Sequence, residues 1–264
     1  MPIKIFSLLS CVFLIISFFG CSPSYEESDT QNSPKMTQDT PVNDLPYLQK
    51  STDMGQEYID SFIFLGESTT THLKSRGVLS GGKDTNQVWS PKSGTLMLDI
   101  STSNCRIVYP DTGEEIDLCV AMSRKKPKYM LLTFGLNGAS RTIEKGSDYF
   151  KSCYSKLIDT LLAASPETKI IIQSCFPVAK NMDMSSYSID AKTLNSYIDE
   201  INSWAQEFAI ERSIGYLNTA EILKDENGFL FSHYQVGDGY HLTKEAYVEI
   251  LKYIRTHAYT VKEI

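Results

Sequence analysis

The sequence predicts an α/β fold of three layers, in which helices cover both faces of a doubly wound parallel sheet. Four short apolar runs alternate with longer amphipathic segments along the 264 residues. The runs are apolar throughout, which is typical of parallel strands buried on both faces, and right-handed crossovers place the connecting helices on both sides. The apolar fraction of 42 % is that of a globular protein, and we find neither an internal repeat nor a second domain.

The first predicted strand is the run from Phe62 to Leu65, which Gly66 ends. A helix is predicted to follow from Ser68 to about Ser75. Two interpretations of Ser68 remain open at this point. It is the N-cap of this helix, or it is a nucleophile at the carboxyl end of a strand, where open α/β sheets bind their ligands.

A β-hairpin is predicted at residues 105–121, inserted into the regular pattern, with a loop at residues 111–113. Cys105 and Cys119 lie symmetrically about this loop, so a disulfide between them is a hypothesis. Such a bond would be permitted if the protein is exported to an oxidising compartment. The sequence contains no CxxC pair, so the cysteines predict no zinc site and we expect no metal.

The rest of the chain continues the alternation of strands and helices. We predict strands at 129–134, 169–174 and 214–218, and helices at 147–164, 191–211 and 243–257. The helical segments carry their apolar residues in phase on one face, whereas the strands are near-continuous apolar runs. This regular order is what predicts the parallel sheet.

The N-terminal segment has the features of a secretory signal. Lys4 precedes an apolar stretch at residues 5–19, which is shorter than a membrane-spanning helix needs. The following Gly20-Cys21 pair resembles the lipobox of bacterial lipoproteins. The resemblance implies that residues 1–21 are a signal peptide and that Cys21 becomes lipidated. Ordinary export with cleavage nearby is the alternative.

Residues 22–50 are rich in Ser, Thr, Asp, Asn, Gln and Pro, and predict a flexible polar tether before a folded domain at residues 51–264. We therefore expect an exported protein that is lipid-anchored to the outer face of a bacterial membrane, with the anchor as its only membrane contact. The net charge is −7 and no basic stripe is present, so nucleic acid is not an expected partner.

Three loops are expected at one edge of the sheet, because each follows a strand or precedes the last helix. They are residues 66–68, 135–138 and 238–241. Hydrolysis by a serine requires a base for the hydroxyl proton and a carboxylate that orients this base. Asp238, three residues before His241, can accept the Nδ1–H of that histidine within one loop. The Nε2 atom then faces Ser68.

These loops resemble the sequence blocks of a known family. GES at 66–68, GLNG at 135–138 and DGYHLT at 238–243 resemble blocks I, III and V of the SGNH or GDSL-type hydrolases. Their order and their spread over nearly the whole folded domain also fit. The resemblance implies a flavodoxin-like sheet, with Ser68 as nucleophile and Asp238 and His241 completing a catalytic triad.

The same resemblance implies an oxyanion hole made of three donors. They are the backbone N–H of Ser68, the side-chain amide of Asn137 and a glycine of block II. We assign this glycine to Gly94, by its position after the second strand–helix unit, with Gly81 and Gly82 as alternatives. Such donors stabilise the negative charge that develops on the ester oxygen.

Two residues near the site depart from the family pattern. Glu67 stands where aspartate is usual, and Gly138 replaces the aspartate that normally follows the oxyanion asparagine. Neither position is a triad member, so we expect altered loop packing and retained chemistry.

Several other residues are candidates for minor roles. We expect His72, one helical turn beyond the predicted nucleophile, to lie along the helix surface. Trp89, Tyr234 and Tyr240 are candidates for an apolar or sugar-stacking wall, although aromatic residues are more often part of the core.

Together these features predict an exported serine esterase that cleaves an ester-bearing small molecule or an acetylated glycan through an acyl-enzyme, without a cofactor. The O-acetyl preference rests on family analogy alone. Two alternatives remain. One is an O-acetyltransferase with the same triad, and the other is an inactive surface module that binds glycans. The intact Ser68, Asn137, Asp238 and His241 argue against the second.

Overall fold

In the described part of the chain, the strands form one five-stranded parallel sheet and one small hairpin. The computed structural model describes residues 47–259. Numbered along the chain, the strands are β1 (Phe62–Gly66), β2 (Val88–Trp89), β3 (Arg106–Val108), β4 (Glu115–Asp117), β5 (Tyr129–Thr133), β6 (Lys169–Gln173) and β7 (Gly215–Leu217). The large sheet has the order β2-β1-β5-β6-β7, and all its pairs are parallel. This is a doubly wound sheet of flavodoxin-like order, so the predicted fold class is confirmed.

Helices connect these strands and cover the sheet. The helices are α1 (Gly55–Asp60), α2 (Ser68–Ser75), α3 (Leu118–Lys125), α4 (Ala139–Lys145), α5 (Ser147–Ala164), α6 (Ala191–Arg212) and α7 (Lys244–Arg255). The four helices predicted from the sequence, now α2, α5, α6 and α7, are confirmed to within two residues at each end. The three that were not predicted, α1, α3 and α4, have six, eight and seven residues, which is too short to display a helical period. Helix α2 also has only eight residues, but the glycine that ends the first predicted strand marked its start.

The two faces of the sheet bury separate apolar cores. Ile63 and Leu65 of β1 pack with α3, α5 and α6 on one face, whereas Phe62 and Phe64 pack with α1, α2 and α7 on the other. Every residue of β1 and β5 is buried. Burial on both faces explains why these strands are apolar throughout.

The predicted hairpin is confirmed, but its predicted disulfide is wrong for this structure. β3 and β4 pair antiparallel with Arg106 opposite Asp117, and the carbonyl of Cys105 accepts the N–H of Leu118 at 3.0 Å. Cys105 therefore faces Leu118, one residue short of Cys119. Cys119 lies on the exposed side of α3, and both thiols are free. The symmetric spacing of the cysteines predicted that Cys119 lies on a strand, whereas helix α3 has already begun at Leu118.

The folded domain begins before the predicted boundary at residue 51. Tyr47 forms a β-bridge with Tyr216 of β7. Leu48 is buried and donates its N–H to the carbonyl of Tyr216 at 2.8 Å. These residues, assigned to the tether from their sequence, therefore belong to the domain.

The predicted signal peptide, the lipidation site at Cys21 and the tether up to residue 46 lie outside the described residues. Among the helices of residues 47–259, none is both long and apolar enough to cross a membrane.

Candidate active site

Ser68 lies at the junction of β1 and α2, at the carboxyl edge of the sheet. It is the first residue of α2, and Glu67 occupies the N-cap position in an extended conformation. The Ser68 N–H therefore has no acceptor within the helix. The tight turn requires a glycine at Gly66, because a Cβ there would collide with the carbonyl oxygen of Thr133 and the hydroxyl of Thr70.

A chain of hydrogen bonds joins Ser68, His241 and Asp238. The Oγ atom of Ser68 lies 3.0 Å from Nε2 of His241. The Nδ1 atom of His241 lies 2.7 Å from Oδ2 of Asp238. When Nδ1–H donates to the carboxylate, Nε2 is left as an acceptor for the serine hydroxyl. The structure thus brings together the three residues that the sequence analysis selected.

The carboxylate of Asp238 is also held by the backbone of its own loop. Its Oδ1 accepts the N–H groups of Tyr240 at 3.1 Å and of His241 at 2.9 Å. Burial alone would raise the pKa of Asp238, but the hydrogen bonds from His241 and Tyr240 outweigh this effect and hold the pKa below its usual value. The carboxylate is therefore ionised at neutral pH, as an acceptor for the Nδ1–H of His241.

Hydrogen bonds fix the loop at residues 235–242, which carries the histidine and the aspartate. Its first and last residues form an antiparallel bridge, and Val236 donates its N–H to the carbonyl of His241 at 3.0 Å. Arg76, just after α2, donates its Nε–H to the carbonyl of Leu242 at 3.1 Å. Because α2 also carries the serine, this bond ties the loop to the helix of the candidate nucleophile.

The buried Glu67 holds the loop that follows β5. Its carboxylate accepts the N–H groups of Gly135 at 2.9 Å, Leu136 at 3.2 Å and Asn137 at 3.1 Å. Burial raises the pKa of Glu67 to about 7, and the three N–H donors oppose this rise. The glutamate before Ser68 therefore connects the candidate nucleophile directly to the loop of the candidate oxyanion asparagine.

The candidate oxyanion donors are only partly free. The side-chain amide of Asn137 donates to Oγ1 of Thr95 at 3.1 Å and to the carbonyl of Leu96 at 3.0 Å, so both of its hydrogens are engaged. Gly94 donates its N–H to the carbonyl of Pro91 at 2.9 Å. This N–H closes a turn and is not free for an oxyanion, so the predicted role of Gly94 is wrong for this structure.

His72 packs against His241, where the sequence analysis expected it to lie along the helix surface. The two ring centroids are 4.3 Å apart, with an angle of 44° between the ring planes. Burial and then the neighbouring His241 lower the pKa of His72 to about 4, so its ring is neutral at pH 7. Its Nδ1 is buried without a hydrogen-bond partner among the described residues.

Gly138, the second departure from the family pattern, fits its local backbone. Its φ of +76° is in the left-handed region that favours glycine, and it is the N-cap of α4. A Cβ there would lie 3.0 Å from Sδ of Met97. An aspartate at this position would strain both the backbone and this contact.

The expected aromatic wall is divided between the core and the site. Trp89 is only 1 % exposed and belongs to the core, whereas the ring of Tyr240 lies 4.1 Å from that of His241. Within residues 47–259, no group of three or more His, Cys, Asp or Glu side chains is arranged to hold a metal ion.

Residues 64–248 match the GDSL-like lipase/acylhydrolase family, and this segment includes all three residues of the hydrogen-bonded chain. The chain belongs to this family. Membership assigns the protein to the hydrolases that act on esters, and confirms the resemblance recognised in the three sequence blocks. No curated protein matches the sequence.

Several solved structures are similar to this GDSL-family chain. A GDSL-like lipase of Bacteroides thetaiotaomicron is 16 % identical, with 75 % of this chain and 88 % of that chain covered and a TM-score of 0.45. The lipopolysaccharide acetyltransferase periplasmic domain of Salmonella ser. Paratyphi A is 19 % identical (70 % and 78 % covered, TM-score 0.46). An extracellular lipase of Streptomyces rimosus is 11 % identical (72 % and 97 % covered, TM-score 0.46).

Two residues of the site were not assigned a role from the sequence. The spacing of His72, four residues after Ser68, places both on one side of α2, and this signal was available. The three hydrogen bonds of Glu67 depend on how β1 and β5 align in the sheet, which pairs Gly66 with Thr133. No local sequence signal carries that information.

Proposed function

We propose that this protein is an exported serine esterase in which Ser68, His241 and Asp238 form the catalytic triad. The observation that carries the proposal is the continuous hydrogen-bonded chain from the Ser68 hydroxyl through His241 to the Asp238 carboxylate. Family membership supplies the reaction class, and this chain of contacts supplies the residues that would perform it.

In the first half of the reaction, Oγ of Ser68 attacks the carbonyl carbon of the ester while its proton passes to Nε2 of His241. Asp238 stabilises the resulting imidazolium. The C–O bond to the alcohol then breaks, and the alcohol leaves with the proton from His241. An acyl group remains on Ser68.

In the second half, a water molecule gives a proton to Nε2 of His241 and attacks the acyl carbon. The bond to Oγ breaks, Oγ of Ser68 recovers the proton, and the carboxylic acid leaves. The triad returns to its starting state.

The free N–H of Ser68 is the first proposed donor to the oxyanion, and the amide of Asn137 is the second. Since both amide hydrogens of Asn137 are engaged, the second donor requires an exchange of partners. The exposed hydroxyl of Thr95 is the partner that we expect to be exchanged, because water can replace it at little cost.

The natural substrate is proposed to be an O-acetyl ester on a glycan, reached from a lipid anchor at Cys21 on the outer face of a bacterial membrane. This part of the proposal rests on the signal-like N-terminus and on family analogy. An O-acetyltransferase would differ only in the acceptor of the second half-reaction, where a glycan hydroxyl would replace water.

Labelling with a fluorophosphonate tests the proposal directly. We expect one covalent adduct on the purified protein, located at Ser68 by peptide mass analysis, and none on Ser68→Ala. The matched control is Ser75→Ala, which removes an exposed hydroxyl at the other end of α2 and should label like wild type. Equal labelling of Ser68→Ala and wild type would contradict the proposal, as would an unlabelled wild-type protein.

A further inference from the structure

A cavity of about 370 Å³ lies directly beside the candidate triad. Its wall includes Asn137, the candidate oxyanion residue, and Tyr240, whose ring lies 4.1 Å from that of His241. The cavity therefore borders both the candidate oxyanion residue and the ring that packs on the histidine of the triad. An acetyl group would fill only a small part of it, so its size suits the larger part of a substrate.

The lining of this cavity combines apolar, aromatic and cationic groups. Leu136, Met182 and Leu194 supply apolar surface, and the rings of Tyr187 and Tyr240 supply aromatic surface. Tyr187 is 47 % exposed, so its ring is available to a ligand. Aromatic rings with hydroxyl groups are suited to a sugar, which has an apolar face and a polar edge.

Arg141, on α4, is the one charged residue that lines the cavity. No carboxylate within residues 47–259 lies close enough to form an ion pair with it, although the protein as a whole has a net charge of −7. Its neighbour Glu144 on the same helix is exposed and makes no ion pair with it. An arginine without a carboxylate partner is free to bind an anion through two parallel N–H groups.

The carboxylates of the segment between β6 and α6 are already engaged. Asp183 accepts the N–H of Ser185 at 2.9 Å, and Asp190 accepts the N–H of Thr193 at 2.7 Å as the N-cap of α6. These bonds hold both carboxylates on their own backbone. Neither carboxylate forms an ion pair with Arg141, whose side chain is exposed.

We propose that this cavity binds an acidic sugar, so that the preferred substrate is an O-acetyl ester of a glycan unit that carries a carboxylate. The carboxylate pairs with Arg141, and the sugar ring packs against Tyr187 and Tyr240. This inference rests on the proposed esterase function, and names the substrate class for the same site.

A matched pair of esters tests the proposal. One is methyl galacturonide with a single O-acetyl group, and the other is its carboxamide, which has the same shape without the charge. We expect wild type to prefer the acid roughly fivefold in kcat/KM, because Arg141 is exposed and solvent weakens its ion pair. Arg141→Gln should bring the ratio close to one, and Arg141→Lys should keep part of the preference.

The matched control is Arg124→Gln, which makes the same change in net charge on an exposed residue of α3 outside the cavity. It should keep the wild-type ratio. Equal use of both esters by wild type, or a ratio unchanged in Arg141→Gln, would overturn the acidic-sugar proposal and leave the serine esterase proposal intact.

A binding measurement separates the two proposals. Ser68→Ala, with and without Arg141→Gln, is titrated by calorimetry with methyl galacturonide and with its carboxamide. Binding selective for the acid that Arg141→Gln removes supports the cavity proposal, even if no ester is hydrolysed. Equal binding of the two sugars, or binding of neither, overturns it.

Discussion

At the residue scale, three groups surround the imidazole of His241. Asp238 accepts from Nδ1 at 2.7 Å, Ser68 lies 3.0 Å from Nε2, and the ring of His72 lies 4.3 Å away, centroid to centroid. The first two contacts fix the tautomer, and the third limits rotation of the ring. Because burial and the charge of His241 lower the pKa of His72 to about 4, His72 adds no positive charge to the site at neutral pH.

A substitution of His72 tests this packing role. We expect His72→Ala to lower kcat roughly tenfold, because His241 would lose the ring that restricts its orientation. His72→Phe should retain most of the activity, since it keeps an aromatic ring at the same place. Ester hydrolysis measured for both variants gives the comparison.

The pH profile distinguishes packing from titration. If His72 stays neutral above about pH 4, the acidic limb of kcat/KM should have the same midpoint in wild type and His72→Phe. A shift of this limb by about one pH unit or more in His72→Phe would contradict the packing role.

At the element scale, the site depends on two connections at the carboxyl edge of the sheet. Glu67, between β1 and α2, accepts the N–H groups of residues 135–137 after β5. Arg76, after α2, holds the loop of the histidine through the carbonyl of Leu242. Both connections start from α2, so the helix that begins with Ser68 positions the other two loops.

The Glu67 connection leads to a prediction about activity. In Glu67→Gln, the amide nitrogen would face N–H groups that now donate to a carboxylate, so the loop of Asn137 would shift. We expect kcat to fall roughly tenfold to a hundredfold, less than the roughly hundredfold to thousandfold loss on removing an oxyanion donor outright. Glu144→Gln, the same change at an exposed position of α4, is the control and should act like wild type.

The free energy of unfolding of wild type should fall, relative to that of Glu67→Gln, as the pH rises. Burial raises the pKa of Glu67 from 4.5 to about 7, so the folded protein holds this proton more tightly than the unfolded chain. The stability that this group contributes is fully present below pH 4.5, and is lost as the pH rises through about 7. Urea unfolding at about pH 5 and about pH 8 should therefore show wild type losing stability relative to Glu67→Gln. If the difference in free energy of unfolding between wild type and Glu67→Gln stays constant, or changes in favour of wild type, the raised pKa of Glu67 is contradicted.

At the scale of the whole molecule, the sequence predicted the strands and helices that have a periodic apolar pattern. It missed the features that depend on how segments distant in the sequence pair with each other. The apolar runs and the segments of α5, α6 and α7 were long enough to display their periods, so the sheet and these helices were found. Helix α2 was found from the glycine that ends the first strand before it. Strand β2 has only two residues and depends on its pairing with β1, in which Phe64 lies opposite Val88. No periodic signal exists in so short a segment.

The same distinction applies to the candidate site. Ser68, Asp238 and His241 were found because their loops have recognisable local sequences. The errors at Gly94 and at the Cys105–Cys119 pair have another origin. The N–H of Gly94 is engaged in a turn, and Cys119 lies in α3 and not in the hairpin. Both depend on backbone hydrogen bonds that spacing alone does not determine.

The central claim is that one serine and one histidine perform ester hydrolysis together. The most direct test is the steady-state hydrolysis of 4-nitrophenyl acetate by wild type, Ser68→Ala and His241→Ala. We expect turnover by wild type, and a loss of about four to six orders of magnitude in kcat for each variant, because the two residues act as one unit. Equal rates for all three proteins would contradict the assignment of the triad.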